Sequence, residues 1–227
     1  MSTTSEQVLA ELKKFASPAN VKGMARFGIN STNTLGVSIP TLRGIADSHR
    51  LDHALALELW ESGIHEARIL AAFVDDPKQV TESQMEVWVK DFDSWDVCDQ
   101  VCSGLFDKIP LAYRKAVQWC KRPEEFVKRA GFVLMACLAL HDKKSEDEAF
   151  EKFLPIIIRE ANDDRNFVCK AVNWALRQIG KRNNHLRVKA VKVAQDLSES
   201  DSKSARWIGK DALRELKIRK SGLEQSG

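Results

Sequence analysis

The sequence is poor in residues that interrupt helices. It contains six prolines among 227 residues, most of them at expected helix starts or in connections, and no convincing alternating strand pattern. No apolar run approaches the roughly 18 residues that a membrane span needs. These absences predict an all-α protein without a membrane-spanning segment, and the 44% apolar content is enough for a substantial core.

The cysteines do not form a recognisable framework. There are five of them, an odd number, and none forms a C-x-x-C pair. The N-terminal segment MSTTSEQVLAELKK also lacks the apolar stretch of a signal peptide. We therefore expect free thiols in a reducing compartment and a cytoplasmic location. Cys98 and Cys102 lie one helical turn apart, with no histidine or lysine placed to activate a thiol, and are predicted to be buried.

Common metal and nucleotide motifs are missing as well. The five histidines show no H-E-x-x-H or other metal-ligand spacing. The chain has no glycine-rich phosphate loop. We expect surface histidines rather than a zinc site, and neither a metal nor a cofactor. The histidines are His49, His53, His65, His141 and His185.

Hydrophobic periodicity predicts helices along nearly the whole chain. The longest irregular connection is GINSTNTLG, residues 28–36. Trp60, Trp88 and Trp119 follow the apolar spacing and are predicted to lie in the core. The predicted helices cover residues 4–16, 18–27, 40–49, 52–62, 64–75, 82–92, 94–107, 110–121, 123–141, 145–162, 164–182, 184–198 and 201–219.

Four of these helices share a basic residue followed by alanine-rich apolar spacing: HEARILAAFV, VKRAGFVLMA, VCKAVNWALRQ and SARWIGKDALRE. Their cations are Arg68, Arg129, Lys170 and Arg206, separated by 61, 41 and 36 residues. The last two intervals are close to the period of two-helix repeats of the HEAT or armadillo type. The sequence therefore predicts a single domain over residues 1–227. We expect a curved HEAT-like solenoid whose equivalent inner helices line a basic concave face.

Two helices near the C-terminus carry a tryptophan among cations at the same spacing. Successive side chains of an α-helix are rotated by about 100°, so the four residues of each set lie within an arc of roughly 60° on one face of their helix. Cations with an interleaved indole are typical of surfaces that bind nucleic acid through phosphate contacts and base stacking. We expect this face to bind double-stranded DNA. The first set is Lys170, Trp174, Arg177 and Lys181, and the second is Lys203, Trp207, Lys210 and Arg214.

Charge is distributed unevenly, although the net charge is only +3. Residues 165–227 contain 15 Lys or Arg against 6 Asp or Glu, whereas residues 1–164 contain 20 against 26. Such an uneven distribution of charge along the chain is typical of a protein that binds a polyanion at one end. A solvated basic tail produces the same bias and remains an alternative.

The segment FDSWDVCDQVCSGLF contains an acid beside an aromatic residue. Trp95 and Asp99 are spaced i, i+4 and project from one helical face, while Asp96 lies near the helix N-terminus and is expected to interact with the helix dipole. An aromatic ring and a carboxylate together suit the stabilisation of a cationic transition state. Without further context, a core tryptophan and a surface aspartate at a helix start are the simpler interpretation.

Several segments together resemble the AlkD-type DNA glycosylases. They are SWDVCD, FVKRAGF, KAVNWALRQIGK, the ending ARWIGKDALREL and the early FGI and LGVSIPTLRGIA, and the resemblance covers roughly residues 18–218. It implies an all-helical HEAT-like solenoid that excises N3- and N7-alkylated purines from DNA without a metal and without a base-binding pocket. The best-known members carry a second tryptophan just before the catalytic one, where this chain has Ser94.

The resemblance also implies roles for individual residues. Trp95 and Trp174 match the two tryptophans that contact the backbone and deoxyribose of the lesion nucleotide. Asp99 matches the catalytic carboxylate, and Arg129 matches the arginine beside it that holds a phosphate. Arg177 matches a further basic residue of the groove.

Three functions are consistent with this sequence. The first is a monomeric DNA glycosylase that releases 3-methyladenine or 7-methylguanine, with Asp99 as its catalytic carboxylate. The second is a non-catalytic HEAT-like protein that binds damaged or branched DNA through the same basic stripes. The third is a protein scaffold whose concave face binds an acidic partner. The Trp95–Asp99 pair argues against the third, because a scaffold has no need of it.

Overall fold

A computed structural model describes the backbone of residues 4–223 and the side chains of residues 4–217. Within these residues the chain forms α-helices, one short 3₁₀ turn and no strand. The all-α prediction is therefore confirmed. The ends of the predicted domain, residues 1–3 and 224–227, lie outside the described part.

The chain divides into two compact units, residues 1–110 and residues 111–227, called here the first and second units. The prediction of a single domain over the whole chain stays a prediction. The helices of the first unit are α1 (Ser5–Lys14), α2 (Pro18–Arg26), α3 (Ile39–Ala46), α4 (His53–Glu61), α5 (His65–Val74), α6 (Glu82–Lys90) and α7 (Trp95–Gly104), followed by the 3₁₀ turn Phe106–Lys108.

The second unit contains the longer helices. In this unit α9 is buried on nearly all sides, which explains its almost continuous apolar sequence. The helices are α8 (Ala112–Trp119), α9 (Glu125–His141), α10 (Asp147–Glu151), α11 (Leu154–Glu160), α12 (Asn166–Arg182), α13 (Asn184–Ser198) and α14 (Lys203–Leu223).

Each predicted helical segment contains a helix, but the segment 145–162 contains two. The first ends at Glu151 and the second begins at Leu154, with Pro155 in its first turn. Proline has no amide hydrogen, and its ring collides with the carbonyl group four residues earlier. A continuous helix through Pro155 is therefore prevented, and the prediction of one helix here was wrong.

Helix pairing in the second unit follows the predicted repeat. Helix α8 packs against α9, α11 against α12, and α13 against α14. The second helices of these pairs also contact one another in order, α9 with α12 and α12 with α14. They carry Arg129, Lys170 and Arg206, the cations that define the intervals of 41 and 36 residues. The two-helix repeat is therefore present in the second unit.

The residues predicted for the core are buried. Trp60 and Trp88 stack in parallel, with ring centroids 4.0 Å apart, and together with Trp119 they are no more than 2% exposed. Cys98 and Cys102 are fully buried, and all five cysteines are free thiols. These predictions are confirmed.

Candidate functional site

The predicted acid and aromatic residue lie in the first turns of α7. Trp95 is the first residue of the helix and Asp99 follows one turn later, and both side chains are half-buried. The indole Nε1 of Trp95 donates a hydrogen bond to the carbonyl oxygen of Phe27 at 3.1 Å. This bond fixes the orientation of the ring, so that Trp95 and Asp99 present one partly exposed face.

Ser94, the residue where the best-known relatives carry tryptophan, is buried. Its hydroxyl accepts a hydrogen bond from the backbone N–H of Asn30 at 2.9 Å, and the side-chain amide of Asn30 donates to Asp93 at 2.7 Å. These bonds hold the irregular segment 28–36 against the start of α7. A tryptophan side chain does not fit at position 94 without displacing this segment.

Asp96 and His65 form a pair that the sequence did not predict. The carboxylate of Asp96 lies 2.8 Å from Nε2 of His65, and both side chains are buried. Burial alone would lower the pKa of His65, but the hydrogen bond and charge of Asp96 outweigh it and raise the pKa above 6.5. The expectation of a surface histidine was wrong here. His65 is spaced i, i+4 and i+7 from the buried Ile69 and Ala72, and this spacing could have predicted that His65 is buried as well.

Glu66 is a second buried acid that sequence reasoning missed. Its carboxylate accepts hydrogen bonds from the backbone N–H groups of Leu35, Gly36 and Val37, at 2.8, 2.6 and 3.2 Å. Gly36 has φ +79°, and a Cβ atom there would collide with the carbonyl oxygen of Ser17. Glu66 therefore anchors the end of the irregular segment 28–36 on α5.

The first basic stripe lies on α12 in the second unit. Lys170 is exposed and Trp174 is half-buried. The other two cations, Arg177 and Lys181, form ion pairs with Glu215 of α14. The stripe is therefore only partly available to a polyanion, because Glu215 neutralises its C-terminal half.

The second stripe lies on α14 and is more exposed. Trp207 is 44% exposed, and Lys203 and Lys210 are exposed without an ion pair among the described side chains. Arg214 pairs with Asp211 of the same helix. Among the described side chains of the two stripes, Lys170, Lys203 and Lys210 are therefore the cations left to contact an anion.

The two stripes meet at a cavity of about 350 Å³. Lys170 of α12 lines it together with Lys203 and Trp207 of α14, and Asp164 and Cys169 complete part of its wall. Burial raises the pKa of the Cys169 thiol to about 11, so this group is neutral at physiological pH. The cavity thus combines two ammonium groups with an exposed indole, the combination that suits a phosphate beside an unpaired base.

Arg129 on α9 lies in the interior. Its side chain is 5% exposed, and its guanidinium donates to the carbonyl oxygen of Phe167 at 2.6 Å. This bond connects α9 to the first turn of α12. The phosphate contact that the resemblance implies for Arg129 stays a prediction.

Two of the four cations that marked the repeat, Arg68 and Arg206, donate hydrogen bonds to backbone carbonyl groups next to helix ends. Arg68 donates to the carbonyl oxygen of Asp91 at 3.1 Å and lies over the ring of Trp60. Arg206 donates to the carbonyl oxygens of Ser200 and Asp201, at 2.8 and 2.7 Å. The repeated basic residue therefore stabilises local structure at these positions.

In the described part of the chain, no cluster of three or more His, Cys, Asp or Glu side chains is arranged to hold a metal ion. No helix among the described residues is both long and apolar enough to cross a membrane.

Comparisons with known proteins give a fold and a family. No curated protein matches the chain. One solved structure, described as a new family of proteins related to the HEAT-like repeat DNA glycosylases with affinity for branched DNA structures, is 22% identical with a TM-score of 0.75. The match covers 93% of this chain and 95% of that one, which shows the HEAT-like repeat fold. A family model described as DNA alkylation repair enzyme matches residues 8–216, and the chain therefore belongs to the DNA alkylation repair enzyme family.

Proposed function

We propose that this chain is a DNA glycosylase that releases N3- and N7-alkylated purines, such as 3-methyladenine and 7-methylguanine, from double-stranded DNA. The observation behind the proposal is the partly exposed face that Trp95 and Asp99 share at the start of α7. Membership of the DNA alkylation repair enzyme family supports a substrate of this kind.

The proposed reaction needs little beyond a carboxylate, because the lesion itself is activated. An N3- or N7-alkylated purine carries a positive charge and leaves with the electron pair of the glycosidic bond as a neutral base. The sugar then has oxocarbenium character, as in glycoside hydrolysis. Asp99 stabilises this cation and orients the water molecule that attacks C1′, whose proton passes to solvent. No metal or cofactor is needed to activate such a leaving group.

The tryptophans have a supporting role in this proposal. A ring beside the sugar attracts developing positive charge, worth roughly 0.5–2 kcal/mol for each ring. The bond from Trp95 to the carbonyl oxygen of Phe27 holds the first ring in place before the substrate arrives. Trp174 is assigned the second position through the resemblance.

The DNA backbone is held by the cations without ion pairs in this proposal. Lys170, Lys203 and Lys210 are exposed, and Trp207 lies among them on α14. Arg177, Lys181 and Arg214 contribute less, because Glu215 and Asp211 already neutralise them. Salt bridges of this kind must break before the cations can bind phosphate.

The test is release of 7-methylguanine from methylated duplex DNA, with the base quantified by chromatography. Asp99→Asn should reduce release to the spontaneous rate and leave DNA binding almost unchanged, because it removes one negative charge and little volume. Asp196→Asn is the matched control. Asp196 is an exposed acid on α13, and its side chain has no hydrogen bond or ion pair in the described part of the chain. Full release by Asp99→Asn would refute the assignment of the catalytic carboxylate.

Binding of branched DNA without catalysis is the second candidate. It is favoured by Ser94, which is built into the contact with Asn30 where the best-known glycosylases of the family carry tryptophan. The solved relative is described as having affinity for branched DNA structures. This candidate predicts tighter binding of a four-way junction than of duplex DNA, with no base release by the unmodified chain. Base release that depends on Asp99 would exclude it as the sole function.

A further inference from the structure

The cavity between α12 and α14 has the size of a small-ligand site. Its volume is about 350 Å³, at the lower end of the range of roughly 300–1,000 Å³ that such sites occupy. Asn166 and Lys203 line it and are the first residues of α12 and α14. All of its lining residues belong to the second unit. The space is therefore large enough for part of a nucleotide chain, but not for a duplex.

The charged groups at this cavity favour an anion. The ammonium groups of Lys170 and Lys203 form no ion pair among the described side chains, and they outnumber the carboxylate of Asp164 on the same wall. The thiol of Cys169 stays neutral, because burial raises its pKa to about 11. The positive ends of the α12 and α14 dipoles add to this charge, since both helices begin here. A phosphate group is therefore attracted to the cavity.

Trp207 supplies an aromatic face at the same cavity. It is 44% exposed, whereas Trp60, Trp88 and Trp119 are no more than 2% exposed. An indole stacks on a base only where the face of that base is uncovered, and in a duplex each base is covered by its neighbours. Such stacking accepts any base, because every base has a π-face. Trp207 therefore distinguishes unpaired from paired nucleotides, whereas the lysines bind the phosphates of both.

Hydrogen bonds fix the wall of the cavity before a ligand arrives. The hydroxyl of Ser204 donates to the carbonyl oxygen of Ala161 at 2.8 Å, which connects the first turn of α14 to the end of α11. The side-chain amide of Asn173 on α12 donates to Asp211 of α14 at 2.7 Å. These bonds hold α12 and α14 side by side, so that binding a ligand requires little ordering of the two helices.

We infer that this cavity binds a nucleotide of a single-stranded DNA arm at the end of a duplex. The base stacks on Trp207, while Lys170 and Lys203 hold the adjoining phosphates. This assignment rests on the proposed function only in taking DNA as the partner, and it does not depend on the reaction at Asp99. The base bound here is not the base that is released, so the site is compatible with excision without a base-binding pocket.

The test compares DNA molecules that share one duplex. The first has blunt ends, the second carries a short single-stranded thymidine arm, and the third carries an arm of abasic residues, which offers phosphates but no base. Fluorescence anisotropy, with the label at the opposite end, measures each dissociation constant at the same salt concentration. We expect the thymidine arm to raise the affinity about tenfold above that of the blunt duplex, as stacking of one base does, and the abasic arm to raise it less.

Variants of Trp207 separate stacking from charge. Trp207→Ala should reduce the ratio of thymidine-arm to abasic-arm affinity to about one, and Trp207→Phe should retain much of the ratio, because a phenyl ring also stacks. Val188→Ala is the matched control, since Val188 is an exposed apolar residue of α13 that does not line the cavity. Equal binding of the two arms by the unmodified chain, or an unchanged ratio in Trp207→Ala, would overturn the inference.

Base release separates this inference from the proposed function. If the unmodified chain prefers the thymidine arm but releases no 7-methylguanine from methylated duplex DNA, then the arm site stands and the glycosylase assignment fails. If release depends on Asp99 and the thymidine arm is not preferred, then the glycosylase stands and this inference fails.

Discussion

At the scale of single residues, the buried ionisable side chains His65, Glu66 and Asp96 of the first unit are bonded to specific partners. His65 faces Asp96, and Glu66 accepts three backbone hydrogen bonds. Buried charged groups are tolerated when they are paired in this way.

The His65–Asp96 pair should make stability depend on pH. The pKa of folded His65 lies above 6.5, so protonation favours the folded state. This stabilisation is fully present below pH 6.5 and is lost as the pH rises through the raised value. In Asp96→Asn, the hydrogen bond and the charge of Asp96 are lost, while burial and the weaker influence of Glu66 and Asp93 remain. The pKa of His65 should therefore fall, and protonation should stabilise the folded state less than in the unmodified chain. We expect Asp96→Asn to lose about 1–3 kcal/mol more unfolding free energy at about pH 5.5 than at about pH 8.5.

Urea unfolding at the two pH values measures this difference. Asp196→Asn serves again as the control, because its exposed carboxylate has no partner in the described structure. An equal loss of stability by Asp96→Asn at both pH values would mean that the pair acts through hydrogen bonding alone, without the charge of His65.

At the scale of helices, close packing depends on small residues at a few positions. A Cβ atom on Gly209 of α14 would lie 2.5 Å from the carbonyl oxygen of Ala194 in α13. A Cβ atom on Gly131 of α9 would lie 2.5 Å from the backbone nitrogen of Cys120. The backbones of paired helices therefore approach closely in the second unit. In contrast, Gly44 of α3 has open space.

Two glycine-to-alanine substitutions should therefore have opposite effects. Gly209→Ala forces backbone atoms of α13 and α14 apart and is expected to reduce the unfolding free energy by about 1–3 kcal/mol. Gly44→Ala removes flexibility from the unfolded chain without a collision and should raise it by about 0.4–1 kcal/mol. Thermal or urea unfolding of both variants measures the two shifts. A stabilised Gly209→Ala variant would contradict the close approach of α13 and α14.

At the scale of the whole molecule, the number of basic residues near the C-terminus is larger than the number that can contact DNA. The basic end of the chain contains 15 Lys or Arg, but Arg177, Lys181 and Arg214 are held by Asp211 and Glu215. The cations near Trp207 remain without ion pairs in the described structure. Affinity for DNA should therefore depend on a small number of lysines and not on the net charge of this end.

The salt dependence of DNA binding tests this distinction. The slope of log affinity against log salt falls by about 0.9 for each phosphate contact that is lost from duplex DNA. We expect Lys170→Gln, Lys203→Gln and Lys210→Gln each to reduce the slope by about this amount. The matched control is Lys192→Gln, since Lys192 is exposed on α13, outside both stripes. The same reduction in the control would show that the charge bias acts as a diffuse basic surface.

Sequence alone determined the features that depend on neighbours along the chain. Helical periodicity placed the helices, the three core tryptophans and the face shared by Trp95 and Asp99, because residues three or four apart lie on one side of any α-helix. The helix break at Pro155 could also have been predicted, since proline interrupts a helix wherever it occurs in its interior, but the predicted helix over 145–162 overlooked it. The interval between basic residues indicated the two-helix repeat in the second unit.

Only the tertiary structure decided which of these residues are free to act. Glu215 neutralises Arg177 from 38 positions away, and Asp96 binds His65 across 31. A cavity beside Trp95 is lined by residues of α2, α3, α5 and α7, so no single segment of sequence contains all of its wall. Helical periodicity fixes the direction of a side chain on its own helix, whereas its partner is set by how helices pack, and that packing determines burial, ion pairing and the space left for a ligand.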